Sequence, residues 1–221
     1  MHRALTVIST AFITAGVTVL ADVGITLAWE EPVSSIYGAI QQQRAERELD
    51  DLEESFLDRP LPDLEGLTGV KAARRVADAF EDDLETGKGI GRIEAPEMDV
   101  DAVMVEGAET SSLQKGPGRY PETALPGQGE TIGIAGHRTT YLAPFHEIDE
   151  IEEGEEVVVE VPYATFTYIV SNTKIVDPGQ VEVLRNVGHE QVVLTACHPE
   201  YSVAERYVVF ARLVEIELTE A

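Results

Sequence analysis

From Gly89 onward the chain becomes a series of short runs rich in valine, isoleucine, threonine and aromatic residues, separated by Gly, Pro, Asn and Asp. This texture constrains the fold more than any other feature. Short strands with turn residues at regular intervals have to bury their faces against one another in a closed barrel or a sandwich. The runs predict strands near 91–95, 100–105, 131–135, 156–161, 164–171, 173–177, 181–184, 191–196 and 206–217. Within them, "VPYATFTYIV" reads as a hairpin turning near Pro162–Tyr163. The expected fold class is all-β, over residues 89–221.

The preceding segment, residues 30–88, is acidic and carries little strand pattern. In "IYGAIQQQRAERELDDLEESF", Ile40, Leu49, Leu52 and Phe56 recur near helical spacing, and Val70, Ala73, Ala77, Phe80 and Leu84 do so in a second stretch. Between them "RPLPDLEGLTG" breaks the helix. Isolated helices of this length are marginal in water, so the segment is expected to be a partly helical linker.

Residues 1–29 read differently again. From Ala4 to Ala21 the chain runs 18 residues without a charge, long enough for the roughly 30 Å core of a bilayer and longer than the h-region of a signal peptide. "TLA" before Trp29 offers a small-residue cleavage site as the alternative. With His2 and Arg3 before the run and Glu30 and Glu31 after it, the expected arrangement is an uncleaved single-pass transmembrane anchor. The N-terminus then lies in the cytoplasm and the rest outside the cell membrane.

Charge narrows the function. Acidic residues outnumber basic ones by 41 to 16, for a net −25. Nucleic-acid affinity comes from cations neutralising phosphates, so nucleic acid is excluded as a partner. There is one cysteine, Cys197, which can form neither an intramolecular disulfide nor a structural zinc site by itself.

That cysteine ends the run "QVVLTA". His137 ends a similar run, "TIGIAGHR", in which two glycines permit a tight turn, and Arg206 begins the last strand. A thiolate nucleophile needs a base to take and return its proton, and a tetrahedral acyl intermediate needs a donor for its oxyanion. Cysteine, histidine and arginine supply those roles. Spacing alone leaves other readings open. Cys197 can be a small core residue, His137 a turn cap, and Arg206 a partner of Glu200 or Glu205.

The segments "LTACHPEYSVAER", "GIAGHRTTYLAPF" and "GRYPETALPG" together resemble the sortase family of cysteine transpeptidases, and within it the class E sortases of actinobacteria. The resemblance covers about residues 89–218. It implies a closed eight-stranded β-barrel with short helices, with Cys197 as nucleophile, His137 as general acid/base and Arg206 as the arginine that positions substrate and stabilises the oxyanion. Tyr120 matches a tyrosine near the second position of the substrate motif. The implied reaction cleaves a C-terminal sorting signal, Leu-Ala-X-Thr-Gly or Leu-Pro-X-Thr-Gly, between Thr and Gly through a thioester. The acyl group then passes to an amine of a lipid II-type peptidoglycan precursor. Implied partners are surface proteins bearing the signal, and no cofactor is implied.

Two departures stand out. Val193 and Ala196 occupy positions that are threonine in the common family pattern, so no hydroxyl flanks Cys197 on its N-terminal side. Some members bind calcium through loop carboxylates; here "HEIDEIEEGEE" (146–156) is acidic but lacks alternating ligand spacing and reads as a solvated face. Two alternatives remain: another extracellular cysteine acyl transferase of the L,D-transpeptidase kind, whose Ser-His-Gly-Cys cluster is absent here, and a non-catalytic membrane-anchored β-domain.

Overall fold

The computed structural model of the chain describes residues 2–29, 32–60 and 62–219. Eight strands close into a barrel: β1 (Gly89–Ala95), β2 (Val100–Glu106), β3 (Gly118–Arg119), β4 (Thr131–Ala135), β5 (Glu156–Val161), β6 (Ala164–Val176), β7 (Gln191–His198) and β8 (Glu205–Leu218). They are joined in the order β1-β2-β3-β4-β7-β8-β6-β5, with β5 returning to β1. Closure pairs each strand on both sides, although β2 meets β3 at only two residues. The interior is filled by side chains such as Ile93, Ile134, Val159, Phe166, Tyr168 and Leu194, all fully buried.

The strand expectations hold with three revisions. Runs 164–171 and 173–177 are one strand, bent by an irregularity between Val170 and Asn172, where the Ser171 hydroxyl donates to the Phe210 carbonyl. Residues 181–184 form a 3-10 turn instead of a strand; Val183 and Leu184 cover Val176, Val193 and Val208 on the outside of the barrel. A two-residue strand, β3, was not anticipated. The hairpin forms as expected, with Val161 opposite Ala164.

The stretch expected to be a linker holds two helices laid against the barrel. Helix α2 (Pro32–Leu57) crosses β1 so closely that a Cβ at Gly89 would sit 2.3 Å from the Ala45 carbonyl oxygen. Because β3 is short, Val103 has no strand neighbour there, and Gln42 takes that place. Its amide donates to the carbonyls of Val103 and Lys115 at 3.0 and 2.5 Å and accepts from the Val103 N–H at 2.9 Å. At the far end of α2, Phe56 is buried edge-on against Phe80 of α3 (Val70–Phe80) and near Tyr163. Ala73, Ala77 and Phe80 of the expected stripe are buried, whereas Ile40 and Val70 face solvent.

Helix α1 spans His2–Trp29. Among the described residues, no helix is long and apolar enough to cross a membrane. The uncharged run begins at Ala4 and Leu5, whose side chains lie outside the described set; those from Thr6 to Ala21 are exposed.

Candidate active site

Three strands bring the predicted residues together. β4 and β7 run parallel, with Ile134 opposite Leu194 and Ala135 opposite Thr195. The pairing continues past the end of β4, because the Gly136 N–H donates to the Thr195 carbonyl at 3.0 Å. One step further, the Arg138 guanidinium meets His198 Nδ1 at 3.1 Å. These contacts bracket His137 and Cys197, which therefore end adjacent strands side by side, at a strand spacing of about 4.8 Å. On the other side of β7, Cys197 pairs directly with Arg206 of β8, about 5 Å away between Cα atoms in such pairs. By register, Cys197 therefore lies between His137 and Arg206.

Alternation decides which way these side chains point. Val192, Leu194 and Ala196 of β7 enter the barrel core, so Val193, Thr195 and Cys197 face outward. Likewise Ile132 and Ile134 of β4 face inward, leaving Gly133, Ala135 and, by continuation, His137 outward. The outcome is that Cys197 and His137 lie on the outer face of the barrel. Neither glycine before His137 takes a positive φ. Each is required by close approach instead: a Cβ at Gly133 would lie 2.8 Å from both Leu184 and Tyr120, and one at Gly136 would lie 2.4 Å from the Phe145 ring.

His137 is half-buried, and its Nε2 is buried without a hydrogen-bond partner among the described residues. Burial disfavours the imidazolium and holds its pKa below the ordinary value. Cys197 is a partly exposed free thiol. Arg206 donates to the carbonyls of Val203 and Glu205 at 3.2 and 2.8 Å, and no carboxylate pairs with it among the described residues. Its head group is thus fixed by main chain and keeps donors to spare.

Tyr120 follows β3, two strands away from Cys197. Its hydroxyl shares a 3.0 Å hydrogen bond with Thr195, two residues before the thiol on the same face. Beneath it, the buried Arg119 forms two 2.8 Å hydrogen bonds to the Glu106 carboxylate and also donates to the carbonyls of Thr123 and Ala124. Sequence reading did not single out this pair. The signal was Glu106 closing the apolar run "VDAVMVE", where a carboxylate needs a cation.

On the opposite face from the thiol, Arg138 links Asp149, the His146 carbonyl and His198. A guanidinium only donates, so His198 Nδ1 is the acceptor in this contact. Asp149, held below the usual carboxylate range by Arg138 despite partial burial, is thereby committed to an ion pair. No cluster of His, Cys, Asp or Glu suited to a metal ion occurs among the described residues.

The Sortase domain family model matches residues 93–214. Sortase D of Bacillus subtilis is 32% identical over 135 residues, covering 59% of this chain and 66% of its own length. Sortase SrtE1 of Streptomyces coelicolor is 32% identical over 147 residues, covering 59% of this chain and 42% of its own. The chain thus spans less than two thirds of the length of either relative. The crystal structure of sortase E1 from Streptomyces coelicolor, solved with a tripeptide in the active site, superposes with a TM-score of 0.58 at 30% identity, over 61% of this chain and 93% of that one.

Proposed function

The chain belongs to the sortase family, and from that premise we propose that it is a membrane-anchored cysteine transpeptidase acting on C-terminal sorting signals. The observation that carries this reading is the pairing of Cys197 with Arg206 on one side, and on the other the parallel β4–β7 register, whose continuation past Gly136 sets His137 beside Cys197. The Cys197 sulfur attacks the Thr carbonyl carbon of a Leu-Ala-X-Thr-Gly or Leu-Pro-X-Thr-Gly peptide while neutral His137 takes the thiol proton. Arg206 donates to the oxyanion. The C–N bond to Gly then breaks, and His137 returns the proton to the departing amine, leaving a thioester on Cys197. An incoming amine, that of a lipid II-type peptidoglycan precursor, attacks the thioester and releases the thiol. Tyr120, oriented by Thr195, contacts the second residue of the motif.

The anchor is α1. Its run from Ala4 to Ala21 has no charge, and Val7, Phe12, Ile13, Val17 and Leu20 are all exposed. Water is a poor solvent for such a helix, whereas lipid suits it. The catalytic domain then faces the outside of the cell membrane.

The test is to incubate the full chain in detergent with both peptides and an amine acceptor, following adduct and product by mass spectrometry. A thioester mass on Cys197 and a ligated peptide are expected, with neither formed by Cys197→Ala. Turnover by that variant, or a thiol inert to labelling, refutes the assignment and favours a non-catalytic β-domain. Recovery of the chain in the membrane fraction after carbonate washing supports the anchor; mature protein in the medium beginning near Trp29 refutes it.

A further inference from the structure

The loop after His137 contains an unusual backbone. Tyr141, Leu142 and Ala143 have φ values of 53°, 68° and 44°, a left-handed turn built without glycine. Each is an unfavourable conformation for an L-residue, and bulky side chains adopt it only where the surroundings enforce it. Four contacts do so. The Ala143 N–H donates to the Thr140 carbonyl at 2.9 Å, closing the turn, and the Phe145 N–H donates to the His137 carbonyl at 3.0 Å, tying its exit to the site. Gln114 Nε2 donates to the Tyr141 hydroxyl at 3.2 Å. The fourth comes from helix α2: Tyr37 packs edge-on against Tyr141 at 6.0 Å between ring centroids.

Helix α2 approaches so closely that position 38 has no room for a side chain. A Cβ at Gly38 would lie 2.9 Å from the Tyr141 carbonyl carbon and 3.1 Å from Leu142 Cγ. One turn further along, Gln42 fastens the same helix to Val103 and Lys115. Inside the turn, the Tyr141 ring lies against the His137 imidazole, centroids 5.3 Å apart and planes tilted by 40°. With Nε2 unpartnered, this ring contact is what fixes the imidazole on that side.

We propose that Tyr141 is a positioning residue for His137, and that α2 acts through it, pressing the left-handed turn onto the imidazole. The proposal rests on the reading of His137 as the acid/base. The groups that titrate around the imidazole are Tyr141 on its face and Cys197 on the adjoining strand. Arg206 stands across from the thiol, and Tyr37 lies behind Tyr141 on α2. A helix between anchor and barrel thus belongs to the catalytic apparatus, although none of its residues touches substrate.

The test compares Tyr141→Ala, Tyr141→Phe, Tyr37→Ala and Gly38→Val in the full chain in detergent. The readouts are the His137 titration by NMR, kcat and KM. Tyr141→Ala and Gly38→Val are expected to move the His137 pKa upward toward the ordinary imidazole value of about 6.5 as water reaches the ring. They should lower kcat on the order of ten- to a hundredfold through misplacement of the base, with KM little changed. Tyr141→Phe keeps the ring against the imidazole and gives up only the Gln114 hydrogen bond, so it should recover most of what Tyr141→Ala loses, while Tyr37→Ala should shift the titration in the same direction by less. A wild-type titration and kcat in folded Tyr141→Ala overturns the proposal. The same result in Gly38→Val removes α2 from it. Should Gly38→Val fail to fold, Tyr37→Ala decides the part of the helix. If the wild type transfers no peptide at all, the functional reading fails, while the NMR shift still reports on the positioning contact.

Discussion

Replacing Arg119 by methionine is the most quantitative test of how the segment around Tyr120 is supported. Arg119 and Glu106 are 4% and 5% exposed and share two 2.8 Å hydrogen bonds. The guanidinium also serves the Thr123 and Ala124 carbonyls. Methionine fills similar space but strands a buried carboxylate. Removing one partner of a buried ion pair costs about 3–5 kcal/mol. In a domain of this size, at about 2–4 °C per kcal/mol, the melting temperature should fall by on the order of 10 °C. Adding Glu106→Gln removes the stranded charge, so the double variant should be more stable than Arg119→Met alone, with a coupling of about 0.5–3 kcal/mol in the cycle. Urea denaturation followed by circular dichroism measures all three. Because the segment Tyr120–Ala124 hangs on this guanidinium, KM for the peptide should rise more than kcat falls. A loss below about 1 kcal/mol, the range of a solvated pair, or strict additivity in the cycle, refutes the reasoning.

Phe56→Ala should cost about 3–5 kcal/mol by emptying the site between Phe80 and Tyr163; a neutral result in denaturation would mean that α2 is not part of the folded unit. Arg206→Ala should lower kcat by about 10²–10³-fold with its melting temperature kept, on the precedent of single oxyanion donors. Arg206→Lys should recover little, because the planar fork is lost; near-normal kcat in the alanine variant removes Arg206 from the mechanism. Burial lowers the His137 pKa, so this histidine's contribution to stability is complete above about pH 6.5 and fades as pH drops below it. For the same reason the acid limb of kcat/KM should fall below pH 6.5, and a limb at or above that value contradicts the assigned environment.

Much of the barrel was legible because strand pairing writes itself into the sequence as period-two alternation between turns. It failed where that signal was borrowed for another purpose. "VEVL" at 181–184 has strand composition, yet its apolar side chains cover the outer face of β7 from a 3-10 turn. β3 is two residues long and cannot show a period. The helices of 30–88 were visible as helices, but their docking depends on Gly89 and Gln42, a missing side chain and a single amide that no hydrophobic pattern reveals. For the site, Cys197, His137 and Arg206 stood out by residue type and resemblance, and strand register sets Cys197 opposite Arg206 and next to the strand that leads into His137. Tyr141 was invisible in advance, because a left-handed turn of Tyr, Leu and Ala contradicts local preference and exists only through tertiary contacts.

The parallel pairing of β4 with β7 also orders events in time. Residues that meet across it, such as Arg138 and His198, are 60 apart in sequence. A parallel pair cannot be made by a hairpin and must wait for the intervening chain to fold around it. The β5–β6 hairpin can form locally and early, whereas long-range pairing carries a loop-closure cost and is slow. Thiol and imidazole therefore become neighbours only when the barrel closes. A chain still folding has its cysteine but no base beside it, and recovery of acyl transfer during refolding would clock the last step of barrel assembly.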